Sequence, residues 1–209
     1  PPYSNRTHAG QRTGSSIRVA TIEFASIGDM PGELAARWAP VASWAVIFGD
    51  HQSFNRHETA WQESGWLVFA PVPWVKPDAP PRMSGDGPSC DAEWIMVTRP
   101  RARTACGSIR GHYYGSCQKR GASPGSGFPT EKPMWLMRQI VSQYSAAGYL
   151  VVDPCAGSGT TLRAAAIEGR RAIGSEIDPV TYDLAVDRLR GHGPMHSETQ
   201  PNLFASQTK

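Results

Sequence analysis

Val151-Val152-Asp153-Pro154-Cys155-Ala156-Gly157-Ser158-Gly159-Thr160-Thr161 decides the reading of this 209-residue chain. An apolar run ends in an acidic residue, two glycines turn the backbone, and an alanine-rich segment with helical character begins at Thr160. A second apolar run, Arg171 to Ser175, ends at another acidic residue, Glu176. A strand, a glycine turn, a helix and a second strand with an acidic residue about 20 positions on form a unit that holds adenosine-type ligands.

The detail departs from the dinucleotide fingerprint. Gly157 and Gly159 lack a third glycine partner, and Asp153 opens the turn where a pyrophosphate would bring negative charge. A carboxylate there suits a cationic ligand, and S-adenosylmethionine, with its ammonium and sulfonium groups, fits that requirement. In an α/β sheet ligands bind outside the carboxyl ends of the strands, so Asp153 and Glu176 can reach one crevice.

Outward from this loop, β and α segments alternate, which predicts an α/β fold with a mostly parallel sheet and helices on both faces. Helices are expected over Ile27 to Trp44, Phe54 to Ser64, Pro133 to Tyr144, Thr160 to Glu168 and Pro179 to Leu189. Strands are expected at Trp44 to Phe48, Trp66 to Ala70, Val72 to Val75, Glu93 to Thr98, before Asp153, and around Ile173. The seven tryptophans read as core or interface packing. Asp50-His51, at a strand's end, is a candidate cleft pair, although a lone histidine is more often structural.

Net charge is only +3, but its distribution is uneven. No Asp or Glu lies between Trp94 and Thr130, while Arg99, Arg101, Arg103, Arg110, Lys119 and Arg120 do, with Tyr113 and Tyr114 among them. Such a basic, aromatic segment suits a polyanion, and equally a solvated loop. The four cysteines form no CxxC pair, which reads as reduced thiols in a cytoplasmic protein. Cys106, His112 and Cys117 lack a fourth ligand for zinc, so no metal is expected. No apolar run approaches the length of a membrane span.

Three pieces together resemble the β class of DNA amino-methyltransferases, the adenine-N6 and cytosine-N4 enzymes. Pro1-Pro2-Tyr3 is similar to the end of their Asp-Pro-Pro-Tyr motif, and Thr130-Glu131-Lys132-Pro133 to their Thr-Glu/Gln-Lys-Pro segment. Asp153 to Thr161 is similar to their Asp-Pro-Phe-x-Gly-Ser-Gly-Thr-Thr loop, with Cys155 in place of Phe. Gly174 to Asp178, with Tyr182, Ala185, Arg188 and Leu189, resembles their following strand and helix.

The resemblance implies a Rossmann-like S-adenosylmethionine-dependent methyltransferase fold with circularly permuted motif order. It implies one domain over 1–190: a catalytic half 1–98, a small basic target-recognition insert 99–127, a cofactor half 128–190, and a polar tail 191–209. Pro1, Pro2 and Tyr3 would be catalytic. Thr130, Glu131, Lys132, Pro133, Asp153, Pro154, Cys155, Ala156, Gly157, Ser158, Gly159, Thr160, Thr161, Glu176, Ile177 and Asp178 would line the cofactor. Ser4, Arg99, Arg101, Arg103, Arg110, Lys119 and Arg120 would meet double-stranded DNA, and a homodimer would enlarge the DNA-contacting surface.

The implied activity is methylation of adenine N6 in a specific duplex after base flipping, in a bacterial or phage restriction-modification or orphan system. The acidic or Ser residue that precedes Pro-Pro in the family is not in the sequence; the expectation is a trimmed record of a full enzyme. Alternatives are cytosine-N4, RNA or protein-amide methylation, a binding module without catalysis, and a nicotinamide dehydrogenase.

Overall fold

A computed structural model describes residues 28–79, 88–102, 109–116 and 131–191. The chain forms two compact units, Pro1–Cys117 and Gln118–Lys209.

The first unit begins with helix α1 (Met30–Trp38), whose first turn contains Pro31. Strand β1 (Ala45–Gly49) leads directly into helix α2 (His51–Glu63). The junction is tight, because a Cβ on Gly49 would lie 2.6 Å from Ser53 Oγ. Asp50 caps α2: its Oδ1 accepts from Ser53 N at 2.8 Å and Gln52 N at 3.2 Å. This satisfies amides that the helix cannot. Asp50 is therefore the cap of α2.

Strands β2 (Trp66–Val68), β3 (Val72–Val75), β4 (Ala92–Pro100) and β5 (Tyr113–Tyr114) complete a sheet ordered β1-β4-β3-β5, with β2 also on β4. The antiparallel ladders run Ala45↔Thr98 to Gly49↔Trp94, Trp66↔Pro100 to Val68↔Thr98, and Val72↔Ile95 to Val75↔Ala92. Strand β5 is parallel to β3, pairing Trp74 with Tyr113. Thus β1, β2, β3 and β5 share one direction and β4 alone is reversed. A mostly parallel sheet was expected, but among the described residues three of the four ladders of this sheet, all through β4, are antiparallel, because the single reversed strand lies between the others. Pro73 is tolerated because β5 pairing starts only at Trp74, so its missing N–H faces no second strand.

Ala35, Ile47, Trp61, Trp66 and Met96 form the core between α1, α2 and the sheet, with Trp38, Phe54 and Val68 packed around them. The Trp61 and Trp66 rings are 4.7 Å apart. Trp74 is buried and donates through Nε1 to Gly115 O at 3.1 Å, which ties down the segment after β5. Tyr113 is buried, whereas Tyr114 is exposed.

The second unit contains helix α3 (Met134–Tyr144), strand β6 (Leu150–Asp153), helix α4 (Thr160–Ile167), strand β7 (Arg171–Gly174) and helix α5 (Pro179–Leu189). Strands β6 and β7 are parallel, in register from Leu150↔Arg171 to Asp153↔Gly174, with α4 as the crossover. Leu136, Met137, Ile140 and Val141 of α3 are buried, as are Ala164 and Ala165 of α4. The small alanines of α4 let α3 approach on one side and the strands on the other. Leu150, Val152 and Ile173 remain exposed. Among the described residues no helix is long and apolar enough to cross a membrane.

Candidate functional site

Backbone and side-chain bonds at the end of β6 hold the following loop in shape. Asp153 Oδ1 accepts from Cys155 N at 3.1 Å, an Asx turn that bends the chain just after the strand. Ala156 N donates to Ser175 O at 2.9 Å, and Ser175 N to Asp153 O at 3.0 Å. These bonds stitch the loop to the segment that follows β7. Gly157 (φ 53°) and Gly159 (φ 79°) occupy the left-handed region, which glycine enters without steric cost.

Glu176 closes the other side. Its Oε2 accepts from Gly157 N at 2.8 Å, and its Oε1 from Ile177 N at 2.8 Å and Asp178 N at 3.1 Å. A carboxylate offers about four lone-pair sites, so one acceptor position on Oε2 remains beside these three bonds. The Cys155 thiol lies among these groups: burial pushes its pKa up, and the carboxylates of Asp153 and Glu176 act in the same direction. Ile177 is 92% exposed beside Glu176, an unusual position for a large apolar side chain.

Asp178 Oδ2 accepts from Thr181 N at 2.8 Å and Thr181 Oγ1 at 2.6 Å, which caps α5. Those two bonds hold the Asp178 carboxyl below its usual pKa. Its Oδ2 is thus committed to the helix end. Glu131 is committed too: Oε1 accepts from Arg188 Nη2 at 2.6 Å and from Thr160 Oγ1 at 3.4 Å. Arg188 Nη1 donates to Ser158 O at 2.9 Å.

Pro154, Ala156 and Thr161 are half-buried in or just after the loop, Ser158 and Thr160 are buried, Lys132 is half-buried, and Pro133 is the N-cap of α3 without a side-chain cap bond. Pro1, Pro2, Tyr3, Ser4, Arg103, Lys119, Arg120 and Thr130 lie outside the described residues. Sequence reasoning assigned no role to Arg188. Its signal was an arginine three residues after Ala185 on the same helical face, where a charge meets the interior.

In the first unit Arg99 is half-buried. Its guanidinium sits 6.0 Å from the Trp44 ring centroid and 5.5 Å from that of Phe69, and Nη1 donates to Pro100 O at 3.0 Å. Stacking on two aromatic faces holds it against the sheet. Arg101 and Arg110 are exposed.

Comparison with known proteins gives this geometry its context. The family described as DNA methylase matches residues 31–187, well over half of the chain. The type II methyltransferase M.Cfr9I of Citrobacter freundii is 27% identical over 150 residues, covering 63% of this chain and 47% of that protein. M2.MboI of Moraxella bovis is 26% identical over 168 residues, covering 71% and 59%. The chain therefore spans about half the length of the curated relatives it matches. The crystal structure of the M1.HpyAVI–SAM complex superposes with a TM-score of 0.65 at 25% identity, over 76% of this chain and 81% of that one. PvuII DNA methyltransferase, described as cytosine-N4-specific, gives 0.58 at 14% identity over 82% and 76%, a likeness of fold. The fold is the Rossmann-like fold of S-adenosylmethionine-dependent DNA methyltransferases.

Proposed function

The chain belongs to the DNA methylase family, and within it we propose an S-adenosylmethionine-dependent DNA amino-methyltransferase that methylates adenine N6. The observation that carries the cofactor reading is the glycine loop held between two strand-end carboxylates, with Gly157 N on Glu176. These residues fit the ligand. Asp153 uses Oδ1 for its own turn and can present Oδ2 to an ammonium group. The remaining acceptor position of Glu176 suits a ribose hydroxyl, and the exposed Ile177 offers an apolar surface to an adenine ring.

When bound, S-adenosylmethionine supplies an electrophilic methyl group on a sulfonium. The chain's own task is to orient an exocyclic amino nitrogen, a poor nucleophile because its lone pair is delocalised into the base. Pro1 and Pro2, with fixed φ and no N–H, suit a rigid display of carbonyl acceptors. Tyr3 offers a face for a flipped base. Holding the amino group in line with the methyl carbon accounts for much of the expected rate. The sequence reading of a basic insert, with Arg101 and Arg110 exposed, supports double-stranded DNA as the substrate.

The test is incubation of unmethylated plasmid with the protein and labelled cofactor, followed by single-molecule sequencing. N6-methyladenine in one sequence context is expected. N4-methylcytosine would reassign the base. Cofactor binding without label transfer to DNA, RNA or protein would identify a binding module. Thermal stabilisation by NADH and not by S-adenosylmethionine would overturn the cofactor reading. Arg101→Ala with Arg110→Ala should weaken duplex binding across sequences and lower the salt slope by roughly 0.9 per lost phosphate contact.

A further inference from the structure

We propose that Arg188 and Glu131 are a positioning pair for the glycine loop, setting its shape for the methyl donor; this rests on the cofactor reading above. The pair joins segments 57 positions apart, Glu131 ahead of α3 and Arg188 near the end of α5. Both side chains are nearly sealed from solvent, at 6% and 5% exposure, with Nη2 2.6 Å from Oε1. Attraction in such a pair roughly offsets the cost of removing both charges from water, and apolar residues of similar size often stabilise a fold as well. Its distinctive contribution is geometric.

The guanidinium is a planar fork. One tine grips Glu131, and the other donates to the main-chain oxygen of Ser158 at 2.9 Å. The same Glu131 oxygen accepts from Thr160 Oγ1 at 3.4 Å, and Thr160 Oγ1 lies 3.3 Å from Ser158 Oγ. Ser158 stands between Gly157 and Gly159, both in the left-handed region that glycine enters most readily. Glu176 fixes Gly157 N from one side, and Arg188 fixes Ser158 O from the other. Adjacent residues are thereby anchored to opposite supports. Because a trans peptide holds C=O and N–H in opposition, fixing Ser158 O also sets the direction of Gly159 N–H. That amide donates to Ala156 O at 2.9 Å, which closes the turn. Helix α5 approaches closely enough that a Cβ on Gly159 would lie 3.3 Å from Ala185 Cβ.

Two variants separate placement from stability. Arg188→Lys keeps a cation for Glu131 but cannot also reach Ser158 O with a second planar donor. Glu131→Met with Arg188→Met removes both charges and fills the space. Calorimetric titration of S-adenosylmethionine should show at least tenfold weaker binding in both, with the melting temperature of the double variant close to that of the parent. KM for the cofactor should rise likewise, while kcat at saturating cofactor changes less than threefold. Amide exchange of residues 157–160 in the ligand-free full chain should quicken in both variants. Parent-like affinity and parent-like exchange in Arg188→Lys would overturn the proposal, even if the double variant failed to fold. A parent protein that ignores S-adenosylmethionine would instead overturn the cofactor reading, and the exchange of residues 157–160 would still judge the brace.

Discussion

Gly174→Ala tests how tightly the loop is built against the strand ends. Gly174 closes β7 opposite Asp153 and has an ordinary backbone conformation, so the substitution adds bulk without left-handed strain. The new Cβ would lie 2.8 Å from Leu162 Cδ1, 3.0 Å from Asp153 O and 3.1 Å from Ala156 Cβ. Leu162 can swing aside. Asp153 O and Ala156 cannot move without disturbing the two bonds that stitch the loop to Ser175. Overpacking of this kind costs about 1–3 kcal/mol, and a restricted unfolded chain returns about 0.4–1 kcal/mol. The net loss therefore runs from near zero to about 2.6 kcal/mol, a fall in Tm of up to roughly 10 °C for a chain of this size. Gly148→Ala is the contrasting control: φ is +79° and nothing lies within 4 Å. Its cost is backbone strain of about 1–2 kcal/mol less the same return. Gly32→Ala, inside α1 with nothing within 4 Å, should instead gain about 0.5–1 kcal/mol. Urea melts at constant m-value rank the three variants, and cofactor titration should show weakened binding in Gly174→Ala alone. A Gly174→Ala protein that melts above the parent temperature would refute the steric reasoning.

His57 gives a pH signature. It is 1% exposed, neither ring nitrogen has a hydrogen-bond partner among the described residues, and burial pushes its pKa from 6.5 down to about 4. The unfolded chain binds the proton more readily, so stability is retained above pH 6.5 and falls as pH drops towards 4. The full loss is roughly 3 kcal/mol. His57→Leu should flatten that limb in urea melts at pH 4–7, and a limb of unchanged slope would remove His57 as its source. Asp50→Ala should cost about 1 kcal/mol by removing the α2 cap, with Asp50→Asn retaining most of it; equal melts for the two would contradict the capping role. Cys155, with its raised pKa, should alkylate more slowly at pH 8 than the exposed Cys90. Peptide mass spectrometry reads both rates, and faster modification of Cys155 would argue against its burial among carboxylates.

Local chemistry made much of the fold legible. Helix α5 begins and ends where its Asp178-Pro179 start and its spacing predict, because the cap and the first turn are written in adjacent residues. The same logic, applied to Asp50, would have started α2 at His51 and not at Phe54. The first helix was expected to run to Trp44 but ends at Trp38. Ala39 keeps helical backbone, but Pro40 has no N–H to donate to the carbonyl four residues back and its ring crowds that carbonyl, which the apolar spacing alone does not register. Strand β5 has no local signal. Its two residues pair because Trp74 and Val75 present an edge, and because the Trp74 indole holds Gly115.

The candidate site divides along the same physical line. Asp153, the two glycines and Glu176 were readable because a turn between parallel strands confines them to a short stretch of chain. Glu131 stands apart from that stretch, and its sequence context placed it on the cofactor. Its carboxylate is instead 2.6 Å from a buried guanidinium. No property of residue 131 or 188 alone distinguishes a ligand contact from a brace, since both uses need a charge near the loop. Burial of both partners makes the distinction. A carboxylate sealed at 6% exposure against an arginine offers little surface to an incoming ligand. Glu176 is only half-buried and keeps an acceptor position beside its three amides. In the proposed reading, Glu176 and Asp153 are the acidic residues that meet the ligand, and Glu131 and Asp178 shape the scaffold that presents them.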